Sequence, residues 1–481
     1  MNKFAKLDQQ YVWHPFTQMR DWAKTEPIVI SKGNGAVLRD VKGREYLDGN
    51  SSIWTNLHGH NHPAINKAIT KQLKRISHSS ALGFANEPAS ELAEKLVGIT
   101  NPKTILQRRA IKNPKLNKVF FSDDGSTAME VSLKLSYECA RRTRGIKRPR
   151  FLSLDGAYHG DTVGGVSLGH IDLFHKAFSR LLFKTDQARA PYCYRCPFNK
   201  AKPQRADART YRKCNMECVS KVEEQFAKAK KQKKPFTGFV YEPLIQGAAG
   251  VIPQPKGWLK RVASAARAHG AQLIADEVMT GFGRCNTVEA KKQPKHFASH
   301  QEGVQPDFMN VAKGLTGGYL PMAATITSQS VFDVFLGEYQ EFKTFFHGHS
   351  FTGNQLGASA SLANLDILER KTTTAHRAKL QREFQAQLET LWDLPNVGDI
   401  RVEGLVAGVE LVSDWKTRQP IPLIRRAGIR VCEAMAKRGV LTRPIGSVVL
   451  LMPPYCTTLK QLRRMVSALY ASVEEVFRSD R

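Results

Sequence analysis

Lys313 is where the potential chemistry of this chain gathers. It follows a short apolar run, 308–312, and is itself followed by Gly314, Gly317 and Gly318. Such a run reads as a buried strand, and a lysine at its carboxyl end stands at the edge where open α/β sheets bind ligands. Burial there disfavours the ammonium form, lowers the pKa and leaves a neutral amine able to attack a carbonyl and form a Schiff base. A solvated loop lysine is the plainer reading of the same stretch, so the assignment depends on what else reaches that edge.

Several other segments point to it. A short strand over 118–121 and a turn over 122–126 precede Ala128, Val131, Ser132, Leu135 and Cys139 at helical spacing. This order predicts free N–H groups at Ser126 and Thr127 at a helix start, where an anion is favoured, and Gly125 lets a phosphate come close. A strand over 151–154 delivers DGAYHGD, with Tyr158 and His159 exposed at the edge to cover a flat ring. The strand 238–241 leads to EPLIQGAAG, and 272–275 ends on Asp276. A buried carboxylate is costly unless it meets a cation. A phosphate, a ring, a pyridinium and an aldehyde are together the features of pyridoxal 5'-phosphate, whose ring nitrogen pairs with an acid. The stretch 345–360 adds donors at Ser350 and Thr352, and Arg443 presents a guanidinium suited to a two-pronged bond with a substrate carboxylate.

The elements that must position these groups alternate as helices and strands from about Pro63, which implies an α/β fold of two or three packed subdomains in 481 residues. A hairpin is expected over 37–47, strands over 401–411 and 440–451, and a last helix with Leu459, Leu462, Met465, Val466, Leu469, Val473 and Phe477 on one face. The domain reading is 1–60 as the N-terminal part of a small domain, 61–370 as a large domain, and 371–481 as the C-terminal small domain. An insertion over 188–222 interrupts the alternation. Its Cys193, Cys196, Cys214 and Cys218 run CxxC then CxxxC, which suits either tetrahedral zinc or an ordered thiol-containing loop. His58, His60 and His62 alternate without a nearby thiol, and local hydrogen bonding is the expectation there.

Composition limits the function classes. No run of about 18 apolar residues appears, so no conventional membrane span is expected. The segment MNKFAKLDQQYVWHPF lacks a secretory apolar core and the composition of a transit peptide, and the eight thinly spread cysteines read as reduced thiols, which together suggest a cytoplasmic protein. The net charge of +29 collects at 141–150, at 228–234 and around 103–118. Solvated loops account for these runs, with weak attraction to polyanions. No stacking aromatics alternate with them, so sequence-specific nucleic-acid binding is not expected. The rival outside the enzymes is a basic, catalytically idle scaffold that binds nucleic acid.

ADEVMTGFGR (275–284) followed by AKGLTGGYLP (312–321) resembles the class III, or ω-amino, pyridoxal-phosphate aminotransferases of fold type I. The stretches VWHPFTQM, DGNSSIWTNLHGHNHP, GAYHGDT, HGHSFTGNQLG and TRPIGSVVLLMPPY are similar to the branch that aminates 8-amino-7-oxononanoate on the route to biotin. The likeness runs from Tyr11 to about Tyr455. It implies a large domain with a mostly parallel sheet, a smaller α+β domain built from both termini, and a homodimer with shared active sites. It further implies that Lys313 holds the cofactor aldehyde and Asp276 pairs with the ring nitrogen. Gly125, Ser126, Tyr158, His159 and Val278 would bind the cofactor, with His349 and Ser350 completing the phosphate site from a neighbouring subunit, Gly348 adjacent. Arg443 would hold the substrate carboxylate, and Phe16, Ile53, Trp54 and Tyr158 would line the substrate's chain. Many members have tyrosine at the position of Phe16, tryptophan at that of Ile53, and proline and threonine at those of His349 and Ser350. With PYCYRCPF (191–198), the first two departures leave the amino donor open between S-adenosylmethionine and lysine, leaning slightly to lysine. Another ω-amine aminotransferase or aminomutase is the near alternative. The stretch between Arg284 and Asp307 is longer and more basic than the family's usual one.

Overall fold

The computed structural model describes residues 1–106, 113–288 and 295–478. Parts of the basic run around 103–118 and of the long stretch between Arg284 and Asp307 therefore lie outside the described residues. The central sheet has seven strands in the order Leu116–Ser122, Ala323–Ser328, Phe308–Val311, Gln272–Asp276, Gly238–Tyr241, Phe151–Leu154, Asp186–Ala188. All run parallel except Ala323–Ser328, which is antiparallel to both its neighbours. The protein is thus an α/β fold with a mixed, mostly parallel sheet.

The strands read as continuous apolar runs because both faces of the sheet are covered. Leu152, Leu154, Phe239, Tyr241, Leu273 and Ala275 enter one core cluster with Trp258 and Val219. Their neighbours Phe151, Val240, Ile274 and Phe308 enter another with Met129, Val131 and Leu135. This is the two-residue alternation of a strand divided between two helical layers, and each buried Leu, Ile, Val or Phe among them contributes about 1.5–3 kcal/mol. The helix Gly125–Arg144 starts on Asp124, which closes a capping box with Thr127, and ends at Gly145 in the left-handed conformation.

Both termini build the remaining sheets. Ile30–Asn34, Val37–Asp40 and Glu45–Asp48 form a meander whose last strand pairs in parallel with Val440–Leu441. The stretch 401–411, expected as one strand, is two arms of a hairpin, Val397–Glu403 and Val406–Asp414, turning at Gly404 with φ +62°. The stretch 440–451 is three short strands rather than one, Val440–Leu441, Pro444–Ile445 and Val448–Leu451, the first of which joins the N-terminal sheet. A single core cluster runs from Leu47 and Leu57 through Phe282 and Val311 to Leu469 and Val473, so the small sheets share apolar packing with the large one. Among the described residues no helix is long and apolar enough to cross a membrane.

The insertion docks on the C-terminal hairpin through a buried ionic cluster. Arg401, 1% exposed, bonds to Glu410 and to Tyr192 Oη, and donates 2.7 Å to the Gly250 carbonyl. Arg195 Nη2 donates 2.6 Å to the same Glu410 carboxylate. Removing one partner leaves the other's charge poorly compensated, Arg401 then keeping Asp399 at 3.3 Å, at a cost of up to about 3–5 kcal/mol. Glu410→Ala therefore lowers the midpoint of chemical unfolding by that equivalent, while Arg195→Ala, removing a partly exposed group, lowers it by less.

Candidate functional site

The site is a cavity of about 660 Å³ at the carboxyl edge of the central sheet. Its walls include Trp54, Gly125, Ser126, Tyr158, His159, Asp276, Val278 and Lys313, which come from separate strand ends and loops. Lys313 opens a 3-10 turn with φ +46°, a conformation unusual for a residue bearing a side chain. Its Nζ stands 4.7 Å from the centre of the Trp54 ring, and among the described residues it makes no hydrogen bond or ion pair. Burial is the largest influence on this amine and lowers its pKa from the ordinary lysine value, against the opposing pull of Asp276 and Glu242.

Asp276 ends its strand, 7% exposed, and accepts 3.1 Å from the Val278 N–H. Its other oxygen lies 2.8 Å from His159 Nδ1. His159, expected to be exposed, is 2% exposed, because its ring turns inward to meet this carboxylate. Its Nε2 is buried without a partner. Tyr158 is the half-buried aromatic of the pair, and its hydroxyl donates 2.7 Å to Asp161. Burial, then the Asp161 bond, pushes the phenol above its ordinary pKa.

At the helix start the expected Thr127 N–H is not free, since it donates 2.9 Å to the cap Asp124. The N–H groups of Gly125 and Ser126 make no hydrogen bond among the described residues. Gly125 packs where a Cβ would come within 2.7 Å of Val278, which draws the two chain segments together. Ser126 Oγ accepts from the Thr162 N–H at 3.0 Å. Reasoning from sequence missed Thr162, Asp161, the 319–322 wall and, above all, Glu242. Glu242 follows the Gly238–Tyr241 strand directly, so the strand-end rule that found Asp276 would also have found it. Burial, together with Asp276, pushes its carboxyl up to about 7, against the lowering effects of His159 and of the Gly247 and Tyr158 N–H groups.

Phe16, Ile53, Gly348, His349, Ser350 and Arg443 do not line this cavity. Phe16 packs 5.3 Å from Phe174, which in turn lies 6.3 Å from Tyr158. His349 Nδ1 is 4.0 Å from Asp123, a cavity residue, and the Ser350 carbonyl accepts from His78. Arg443 is exposed, between the strands Val440–Leu441 and Pro444–Ile445. The four cysteines of the insertion line one small cavity of their own as free thiols, with Arg212 Nη1 3.2 Å from Cys214 Sγ. Among the described residues no group of three or more His, Cys, Asp or Glu side chains is placed to hold a metal ion.

A buried amine of lowered pKa, a buried carboxylate, two free N–H groups at a helix start and a half-buried aromatic face one space. This donor set fits pyridoxal phosphate, and with the fold it defines a pyridoxal-phosphate-dependent transferase of fold type I. A sequence profile described as aminotransferase class-III matches residues 19–473. The adenosylmethionine-8-amino-7-oxononanoate aminotransferase of Geobacter sulfurreducens is 43% identical over 469 residues, covering 98% of this chain and 97% of the relative. The enzyme of that name from Methanocaldococcus jannaschii is similar in crystal structure, with TM-score 0.86, 38% identity and 98% of each chain covered. A PLP-bound amine transaminase from an uncultivated Pseudomonas species matches with TM-score 0.85 and 32% identity, covering 97% of this chain and 98% of that one. The chain belongs to the class-III aminotransferase family and is a pyridoxal-phosphate-dependent aminotransferase.

The lowered Lys313 pKa fixes the sign of a pH effect. Between that value and the ordinary lysine value the unfolded chain binds more protons than the folded one, so stability rises with pH across the window. Replacing Lys313 with Met removes this contribution. In the cofactor-free protein, denaturant midpoints measured from neutral pH to about pH 10 are expected to rise more steeply in the parent than in the variant.

Proposed function

We propose that this chain aminates 8-amino-7-oxononanoate to 7,8-diaminononanoate in biotin biosynthesis, with S-adenosylmethionine or lysine as amino donor. Support comes from relatives bearing that enzyme's name at 43–40% identity over nearly the full chain. The observation that carries the reading is the meeting of Lys313 and Asp276 in one cavity, beside the free N–H groups of Gly125 and Ser126.

When bound, the cofactor supplies an electron sink for the charge left as a proton departs the donor carbon. Lys313 Nζ, whose neutral form desolvation favours, is the base that would take that proton and would return it to the aldehyde carbon on the far side of the nitrogen. Asp276 pairs with a protonated ring nitrogen, and His159 fixes the carboxylate from behind. Gly125 and Ser126 would hold the phosphate end, Val278 would give the cofactor an apolar wall, and Tyr158 would cover the ring. Trp54 closes the opposite wall and excludes water from the amine. Arg443, exposed outside this cavity, would hold the substrate carboxylate, and Phe16 and Ile53 would extend the apolar wall beyond the cavity's own lining. The phosphate end also faces Asp123 and Asp124. A dianion there needs further donors, and His349 and Ser350 of a second copy, with Gly348 adjacent, are assigned that part in a homodimer with shared sites. A cytoplasmic location accords with eight free cysteines.

Lys313→Ala is expected to abolish the borohydride-stable attachment of cofactor and to reduce turnover by at least about 10³-fold. Arg443→Ala removes a charged hydrogen bond of about 1.5–3 kcal/mol and raises KM for 8-amino-7-oxononanoate about 10- to 150-fold with a smaller change in kcat. Single-turnover absorbance of the bound cofactor with that substrate, then with each donor, tests the assignment. A cofactor-loaded protein that turns over other ω-amino acids but leaves 8-amino-7-oxononanoate unchanged would reject it.

A further inference from the structure

The Trp54 wall stands on a strained backbone. Ser51, Ser52, Ile53 and Trp54 have φ values of +46°, +46°, +63° and +72°, and the ψ angles of Ser52 and Ile53 are 57° and 49°. Four consecutive non-glycine residues with positive φ, two of them fully in the left-handed helical region, form one turn, closed by Trp54 N–H to the Asn50 carbonyl at 2.9 Å and Thr55 N–H to the Ser51 carbonyl at 3.0 Å. Each such residue costs roughly 1–2 kcal/mol, and β-branched Ile53 is the least suited of them. A turn of this kind persists only where its surroundings over-determine it.

Asp48 supplies that determination. It is 2% exposed and does not line the cavity. One carboxylate oxygen accepts from the N–H groups of Asn50 at 3.3 Å and Ser52 at 3.0 Å. The other accepts the Ser52 hydroxyl and meets His60 Nε2, each at 2.9 Å. The chain of bonds behind it sets the histidine tautomer. Gly59 N–H donates to Asn56 Oδ1 at 2.7 Å, which turns the Asn56 amide NH₂ toward His60 Nδ1 at 3.2 Å and leaves the Nε2 proton for Asp48. Asn50, inside the same loop, accepts from the Trp54 indole N–H at 2.9 Å. The far side of the turn meets the lysine loop directly, because a Cβ on Gly318 would lie 2.9 Å from the Asn56 backbone.

We propose that Asp48, backed by His60, is a positioning residue of the active site: its two bonds to Ser52, with one to the Asn50 N–H and one to His60, hold the 51–54 stretch in a left-handed turn that aims the Trp54 ring at the Lys313 amine. The carboxylate touches neither cofactor nor substrate and acts through backbone geometry. The kinetic part of the inference rests on the aminotransferase reading above, whereas the conformational part does not.

The test is a double-mutant cycle between Asp48→Asn and Ile53→Gly. Glycine adopts positive φ without steric penalty, so Ile53→Gly lessens what the carboxylate must offset. In the ligand-free full chain, Asp48→Asn is expected to speed hydrogen exchange of the 51–56 amides at least 10-fold, and in the Ile53→Gly background at most 3-fold. In the cofactor-loaded enzyme the same substitution is expected to raise substrate KM more than it lowers kcat, and the glycine background to reduce that loss as well. Ser52→Ala, which deletes one of the four bonds, shifts exchange in the same direction by a smaller factor and serves if Asp48→Asn does not fold. Equal exchange effects of Asp48→Asn in both backgrounds, or unchanged exchange in Ser52→Ala, overturn the proposal. Coupled exchange effects in a protein that does not transaminate would sustain the turn and reject the functional reading alone.

Discussion

Burial outweighs the few contacts that favour the Lys313 ammonium, and segments from across the chain build the walls that bury it. The Trp54 ring lies on one side, and the carboxyls of Asp276 and Glu242 are near enough to oppose, without cancelling, the effect of burial. Desolvation of one amine requires walls from segments far apart in sequence. Arg284 ties them together, donating 2.8 Å to the Asn56 carbonyl and 3.0 Å to that of Pro453. Arg284 and Arg377 both lie against the Tyr455 ring, at 5.0 and 4.4 Å. These guanidiniums are buried against carbonyls and an aromatic face, and burial lowers the pKa of each. The GFGR motif therefore acts as a clasp behind the site.

The acids are distributed by strand geometry. Asp276 and Glu277 are adjacent, yet a strand end turns them to opposite sides. Asp276 faces the cavity, while Glu277 accepts from the N–H groups of Ala298 and Ser299 at 2.9 and 2.7 Å. One carboxylate of the pair is thereby committed to holding the 298–299 backbone, and the other stays available to a ligand. Glu242 adds a carboxyl whose pKa near 7 lets it be neutral beside Asp276, which limits like-charge repulsion in a dry space.

Much of the site was legible because strand-end chemistry is local. An apolar run followed by Lys313, another followed by Asp276, and a Gly–Ser turn opening the Gly125–Arg144 helix each point to the sheet's carboxyl edge. What local pattern does not carry has a common cause as well. Nothing near His159 in sequence reveals the carboxylate 117 positions away that draws its ring inward. The Thr127 N–H is taken by Asp124, which precedes it at capping distance. Apolar content over 401–411 and 440–451 does not record where Gly404 or Pro444 redirects the chain.

Sequence alone determined five of the seven central strands, the helix start, the family resemblance and the identities of the amine and the carboxylate, since each depends on side-chain type and short-range spacing. Tertiary structure decided which groups face one another. It paired His159 with Asp276, brought Glu242 beside them, set Trp54 over Lys313 through a left-handed turn, and joined Val440–Leu441 to strands from the opposite terminus. Those outcomes depend on long-range packing and on hydrogen bonds between residues up to several hundred positions apart, whose free energies no local pattern encodes.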